Sequence, residues 1–226
     1  MLICSILSNI KEESIKNEIL SLRNIIFQET YSYDIKDNWD NYDDNSYHFL
    51  IYNNDKKLVG YYRLRKFNNN FNDTLASELF DLNNFSLNEF AEISRACVHP
   101  NYRDGSVISL LWTNISGFLL THEIQYCIGC TSIINNTIIL NNTFSYILNK
   151  NLIFKDLILP KNKIIIEKKL DEEHIKKKNV TTLIRAYGKQ GALFSPWPSL
   201  DEKWNTIDFF TVFSVASLTK KLAKMG

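Results

Sequence analysis

The chain has 226 residues, 45% hydrophobic and 13% aromatic, enough for one substantial core or a core with a small appendage. A formal net charge of +1 excludes bulk attraction to nucleic acid or to an anionic membrane. No apolar run reaches the length of a membrane span.

Four cysteines, Cys4, Cys97, Cys127 and Cys130, contain one CxxC spacing and no second pair behind it. YCIGCTSII reads as a buried strand, on which Cys127 and Cys130 face opposite ways and make a poor chelate, so no metal site is expected. Free thiols fit a reducing cytosol. MLICSILSNI is apolar but lacks a basic start and a small-residue cleavage site, so it does not read as a signal peptide and a cytoplasmic protein is expected.

In chain order, residues 10–30 carry Ile15, Ile19, Leu22 and Ile26 at helical spacing, which predicts an amphipathic helix. An aspartate-rich connection, YDIKDNWDNYDDNS, follows. YHFLIYN and KLVGYYRLRKF read as two strands of a hairpin joined at NNDK. LASELFDL is short and ambiguous. FAEISRACVH is the next strand, PNYRDGS a turn, and residues 107–123 a helix with Ile108, Leu111, Trp112, Ile115 and Leu119 on its apolar face. IQYCIGCTSII is a near-continuously apolar strand, as a strand covered on both faces would be. INNTIILNNTFSYILNK reads as helical or mixed, and NLIFKD and KIIIEKK as strands. VTTLIRAYGKQG is a helix closed by Gly191, TIDFFTVFSV a strand, and SLTKKLAKM a short terminal helix. The order predicts an α/β (α+β) protein with a mixed sheet covered by helices and no linker dividing it.

The strand at 90–99 is unusual. If it alternates regularly, Glu92, Ser94 and Ala96 face one way and Ile93, Arg95 and Cys97 the other, so neither face is apolar. A bulge would re-aim one of these side chains.

The segment EISRACVHPNYRDGSVISLLWTNISGFLLTHEIQYCIGCTS resembles the core of the GNAT-fold N-acyltransferases that make ornithine lipids. LRNIIFQE, with Arg23 four residues before Phe27, resembles that family's first-helix signature, ASELFDL its segment before the central strand, and residues 183–215 its C-terminal segment. Acyl-homoserine-lactone synthases share the first half: Arg23 and Phe27, Asp40 and Asp43, Arg63, and Glu92 with Arg95. The resemblance implies a GNAT-like twisted sheet with a splayed central strand pair. It implies one domain over 1–226, with 160–226 as a family-specific extension. It also implies direct transfer of a long-chain acyl group from acyl carrier protein, or from acyl-CoA, to the α-amine of an amino acid such as ornithine. The rival readings are an acyl-homoserine-lactone-type synthase taking S-adenosylmethionine and a non-catalytic acyl-binding module on the same fold. The loop RDGS holds a single glycine, which suits an acyl-phosphopantetheine arm better than a cradled coenzyme pyrophosphate. Val98, Arg103, Gly105 and Ser106 fall where such an arm and its phosphate would lie, at a strand end and a helix start.

Among site residues, Glu92 reads either as general base, directly or through water, or as the ion-pair partner of Arg95 or Arg63. Asp40 and Asp43 read as holders of a substrate ammonium, as partners of Arg23 and Arg63, or as a solvated acidic loop. Arg63 and Arg95 read as carboxylate clamps or as partners of those acids. Ser94 reads as a donor to the acyl oxygen or as a backbone-satisfying serine. Asp208, on an apolar strand, is expected to pair with a base or to orient a site residue. His48, His99, His122 and His174 read as solvated or capping groups, and Cys97 as packing. The lysine-rich stretches KKLDEEHIKKK and KKLAKM read as solvated faces, as steering patches for an acidic carrier protein, or as peripheral membrane contacts.

Overall fold

The structure is a computed structural model that describes residues 1–31, 37–68, 70–83, 85, 87 and 89–217. The chain runs β1 (Ile3–Ser8), α1 (Glu13–Tyr31), α2 (Asn41–Asp44), β2 (Tyr47–Tyr52) and β3 (Leu58–Asn68). It continues with α3 (Ala76–Leu79), β4 (Phe80–Asp81), β5 (Glu89–Val98), α4 (Ser106–Thr121), β6 (Tyr126–Ile134) and α5 (Thr137–Asn149). It closes with β7 (Leu159–Pro160), α6 (Thr182–Gln190), β8 (Leu193–Phe194), β9 (Ser199–Asp201) and β10 (Thr206–Ser214). The mixed α/β class read from the sequence is thus the one observed. The expected terminal helix over residues 217–225 falls outside the described residues beyond Ser217.

These elements form two compact units: Met1–Lys66 with Ala91–Ile124, and Phe67–Phe90 with the chain from Gln125 onward. In the first unit the strand order is β1-β2-β3-β5. β2 and β3 form the anticipated hairpin, in which His48 lies opposite Arg63 and Leu50 opposite Tyr61. Partners across a ladder share a face, and faces alternate along each strand. One face therefore presents His48, Leu50, Tyr61 and Arg63, and the other Phe49, Tyr62 and Leu64. α1 covers the first face, burying Ile19, Leu22 and Ile26 with Leu50, Leu58, Tyr61 and Cys97. α4 covers the second: Trp112 meets Tyr62 edge-on and Phe118 meets Phe49. The buried residues of α4 are Val107, Leu111, Trp112, Ile115, Ser116 and Leu119. Val107 replaces the expected Ile108, because the helix starts at Ser106 and its first turn lies against Gly60. A Cβ built on Gly60 would clash with Val107 Cγ1.

In the second unit β6 and β10 pair antiparallel over nine residues, from Thr206 opposite Ile134 to Ser214 opposite Tyr126. β8 and β9 add to β10. Beneath them lies a phenylalanine core in which Phe71 stacks on Phe90 at 4.2 Å and Phe85 meets both Phe71 and Phe210. α6 ends as anticipated on Gly191, at φ +93°.

The reading of KIIIEKK as a strand is corrected. Apart from a single bridge between Lys163 and Ser199, residues 164–170 have no regular structure, and Ile165 is 77% exposed. The segment is instead a strap along α5. The backbone N–H of Lys168 donates to Asn141 Oδ1, that of Leu170 to Ser145 Oγ, and that of Lys176 to Asn142 Oδ1. Side chains on a helix supply the acceptors that a neighbouring strand would otherwise provide.

Gly60→Ala should lower stability by roughly 1–3 kcal/mol through overpacking against α4. Val107→Ala in the same background should cost less than the sum of the two single changes, measured as a double-mutant cycle in urea.

Candidate active site

Three arginines and three aspartates meet in the first unit, on the sheet face covered by α1. Asp43 is the hub. Its Oδ1 accepts from Arg23 Nη1 at 2.9 Å and from Arg63 Nη1 at 2.7 Å. Arg23 Nε also donates to Asp37 Oδ2 at 2.6 Å, and Arg63 Nη1 to Asp40 Oδ1 at 2.8 Å. Arg95 reaches Asp37 at 3.2 Å and Asp40 at 3.7 Å. A capping box holds the acidic connection in shape: the Asp40 carboxylate accepts from the Asp43 N–H, and the Asp43 carboxylate from the Asp40 N–H. The solvated-loop reading of these aspartates gives way to the ion-pair reading.

The side chains of Arg23, Asp43 and Arg63 are fully buried, whereas that of Asp40 is 32% exposed and that of Arg95 16%. Burial alone would raise the Asp43 carboxyl, but Arg63, Arg23 and the Asp40 N–H overcome it and hold it below the usual carboxylate range. The Arg95 guanidinium is lowered by its burial, which Asp37 offsets only in part and to which Arg63 and Arg23 add.

The backbone of β5 answers the question its sequence poses. Arg95 has φ +58°, a left-handed conformation that costs a non-glycine residue roughly 1–2 kcal/mol. Ser94 Oγ accepts from Arg63 Nε at 2.9 Å, so Ser94 lies on the α1 face, and Glu92 shares that face by alternation. Cys97 packs against α1 on the same face, and Arg95 shares it. Regular alternation would put these two pairs on opposite faces. The kink at Arg95 shifts the phase by one residue and gathers Glu92, Ser94, Arg95 and Cys97 together. Glu92 is buried, as is Cys97, whose thiol burial pushes up to about 12. A thiol so protonated packs and does not attack. Phe27 lies under the Arg95 guanidinium at 5.9 Å.

Asp37, His48 and Tyr61 complete the cluster and were not singled out from the sequence. The expectation that the histidines are solvated or capping holds for His122, whose Nδ1 bonds the Phe118 carbonyl at the end of α4, and fails for His48. His48 is buried, its Nδ1 bonded to Tyr61 Oη at 2.8 Å and its Nε2 to the Asp43 carbonyl at 3.0 Å. The carbonyl partner makes Nε2 the protonated nitrogen, so Nδ1 accepts from tyrosine. Burial first, and then the nearby arginines, lower its pKa to about 4 against the pull of Asp43. The signal was present in the hairpin register, which places His48 opposite Arg63.

After β5 the chain makes a short turn, Pro100–Tyr102, and enters α4 at Gly105, whose φ is +98°. Arg103 bridges to Glu29 at 3.0 Å and donates to the Val98 carbonyl. Ser106 N–H and Oγ–H both donate to Asp104 Oδ1. The helix start thus carries its own carboxylate, a feature the sequence reading passed over. Asp208 belongs to the second unit, on β10, where Ser132 Oγ and Thr206 Oγ1 donate to its two oxygens. Burial raises its pKa to about 6, against those two hydrogen bonds.

Comparison with known proteins gives the class first. The fold is GNAT-like, and residues 22–113, under half of the chain, match the acetyltransferase (GNAT) domain family. A CoA-dependent acyl-homoserine lactone synthase, BjaI, solved with SAM and isopentyl-CoA, superposes with a TM-score of 0.59 at 15% identity, over 100% of this chain and 90% of that one. FeeM, an N-acyl amino acid synthase from uncultured soil microbes, does so at 0.56 and 11%, over 100% of each chain. More particularly, the chain is similar to the L-ornithine N(alpha)-acyltransferase of Rhodobacter capsulatus, 22% identical over 135 residues, which are 58% of this chain and 52% of that protein. The chain thus spans about half the length of that curated relative. The resemblance read from the sequence, to ornithine-type N-acyltransferases related to acyl-homoserine-lactone synthases, is the one these comparisons return.

Asp43→Asn should cost about 3–5 kcal/mol in urea unfolding, because it leaves two buried guanidinia short of an anion. Asp208 gives the opposite kind of test. Its folded pKa is raised above the unfolded value of 3.8, so the folded state holds the extra proton and stability declines as pH rises from about 4 to about 6. Asp208→Asn should remove that decline and raise stability at pH 7.5 by on the order of 2–3 kcal/mol relative to wild type, with little gain at pH 4, read by thermal melts across the range.

Proposed function

We propose that this chain is an N-acyltransferase that moves a long-chain fatty acyl group from an acyl-phosphopantetheine donor, borne on acyl carrier protein or coenzyme A, to the α-amine of an amino acid such as ornithine. The observation that carries the reading is the division of the ion cluster into a sealed interior and an accessible rim. Arg23, Asp43, Arg63 and Asp37 are locked together, while Asp40 and Arg95 remain partly open, one of each charge. A zwitterion fits such a rim, its ammonium on Asp40 and its carboxylate on Arg95. That carboxylate would also restore charge balance to a guanidinium whose pKa burial lowers.

Transfer then needs a base and an oxyanion donor. Glu92 takes the proton from the ammonium, directly or through water. The amine lone pair attacks the thioester carbonyl, and the C–S bond breaks as the tetrahedral intermediate collapses. The second proton of the nitrogen passes to the departing sulfur, while Glu92 returns the first to solvent. Ser94 Oγ accepts from Arg63, and its own proton has no acceptor among the described residues, which leaves it for the developing oxyanion. The donor arm would pass Val98 toward Arg103, Gly105 and Ser106. The carboxylate of Asp104 at that helix start disfavours a diphosphate and is consistent with a single, more distant phosphate. Among the described residues no helix is long and apolar enough to cross a membrane.

The test offers palmitoyl carrier protein or palmitoyl-CoA to the purified chain with ornithine, lysine, glycine, tyrosine or S-adenosylmethionine, and reads products by mass spectrometry. Formation of an N-acyl amino acid, reduced at least 100-fold in Glu92→Gln with an unchanged melting temperature, is the expected result. Arg95→Lys should raise KM for the amino acid at least 10-fold while lowering kcat less, since a lysine loses the bidentate fork. An acyl lactone from S-adenosylmethionine alone would instead make the chain a signal synthase, and no acyl transfer with any pair would reject the reading.

A further inference from the structure

The second unit holds a feature that acyl transfer to an amine does not use. The strap, the end of α5 and the outer face of α6 enclose a cleft of about 280 Å³, lined by Tyr146, Asn149, Lys150, Glu172, Ile175, Lys177, Arg185 and Lys189. Its charge is lopsided, with four cations against one carboxylate. That carboxylate is already engaged: Lys150 Nζ donates to Glu172 Oε1 at 2.8 Å. Lys177, Arg185 and Lys189 remain.

Two donors of the lining are short of partners. Arg185 Nη2 donates to the hydroxyl of Thr182 at 3.2 Å, a neutral group and no counter-ion. Arg185 Nε and Asn149 Nδ2 are both sealed from solvent with no hydrogen-bond partner among the described residues. Neither Arg185 nor Lys189 is within ion-pair distance of a carboxylate among those residues. Buried donors without acceptors are costly, and a guanidinium fork among lysines is relieved by an oxyanion with several acceptor oxygens. The wall is set in place, because the N–H groups of Leu170 and Lys176 are tied to Ser145 and Asn142 of α5. Tyr146 and Ile175 give the cleft an apolar side.

We propose that this cleft binds the phosphate or pyrophosphate terminus of a larger molecule. Its volume lies at or below the small end of ligand pockets, roughly 300–1,000 Å³, so it admits a terminal group and leaves the rest of the molecule outside. Arg185 supplies the fork, Lys177 and Lys189 the flanking charge, and Asn149 a neutral donor. The phosphate can come from a soluble nucleotide or coenzyme, or from a lipid headgroup.

The experiment uses the full chain in 50 mM salt, with two probes. Titration calorimetry with inorganic pyrophosphate reads the soluble source. Co-sedimentation with vesicles of phosphatidylcholine carrying about 30% phosphatidylglycerol, against pure phosphatidylcholine, reads the lipid source. Lys177→Gln/Lys189→Gln, two exposed positions, is the test variant, and Arg185→Gln a second one, each checked by melting temperature. Binding to either probe that weakens at least 10-fold in the double variant, and again in 0.5 M salt, supports the site and identifies the source. Binding to neither probe overturns it. So does binding that the double variant leaves unchanged.

Discussion

Everything in the first unit depends on one carboxylate. Asp43 takes a guanidinium from α1 and another from β3 onto the same oxygen, and the cap of α2 onto the other. Such an arrangement stabilises little in net terms, because desolvating the charges offsets most of their attraction. Its effect is geometric. With Arg23 and Arg63 held, Asp37 and Asp40 are held by them, and Arg95 lies against both. His48 and Tyr61 hold the Asp43 backbone from below with neutral groups, which adds a constraint without adding charge. The partly exposed rim of Asp40 and Arg95 is then a fixed consequence of the buried interior.

Much of this was legible in the chain. The Ile–Leu spacing of α1, the hairpin about Asn53–Lys57 and the glycine stop of α6 each follow from local rules. Arg23, Asp40, Asp43, Arg63 and Arg95 were recognised from a pattern, and they meet, with Ser94 beside them. Asp37 was hidden by its neighbours, since one aspartate in an acidic connection looks like the rest until Asn24 accepts its N–H and Arg23 takes its side chain. His48 was hidden because a lone histidine in an apolar strand has no signature. Its role exists only across the ladder, in a register that no single strand reveals. The misread strand at 163–169 has a physical reason too. β-branched residues favour extended backbone, but a strand also needs an edge to pair with. Here α5 offers amide and hydroxyl acceptors instead.

The two titrating groups that burial perturbs most usefully pull in opposite directions. His48 resists protonation, so its surroundings lose stability as pH falls from about 6.5 toward 4. Asp208 resists ionisation, and its surroundings lose stability as pH rises across an overlapping window. One lies in each unit, so any net dependence on pH in that range is a difference between terms of opposite sign and says little about either alone.

The left-handed residue in β5 makes the constellation indivisible. Strand alternation is binary, and a side chain belongs to one face or to the other. Were residue 95 to relax into ordinary extended geometry, either Glu92 with Ser94 or Arg95 with Cys97 would swing through half a turn to the α4 face. No partial version of that movement leaves a weakened but intact arrangement. Drift in the surrounding residues is therefore absorbed without graded loss until the kink itself gives way, and then acid, hydroxyl and guanidinium part company in a single step.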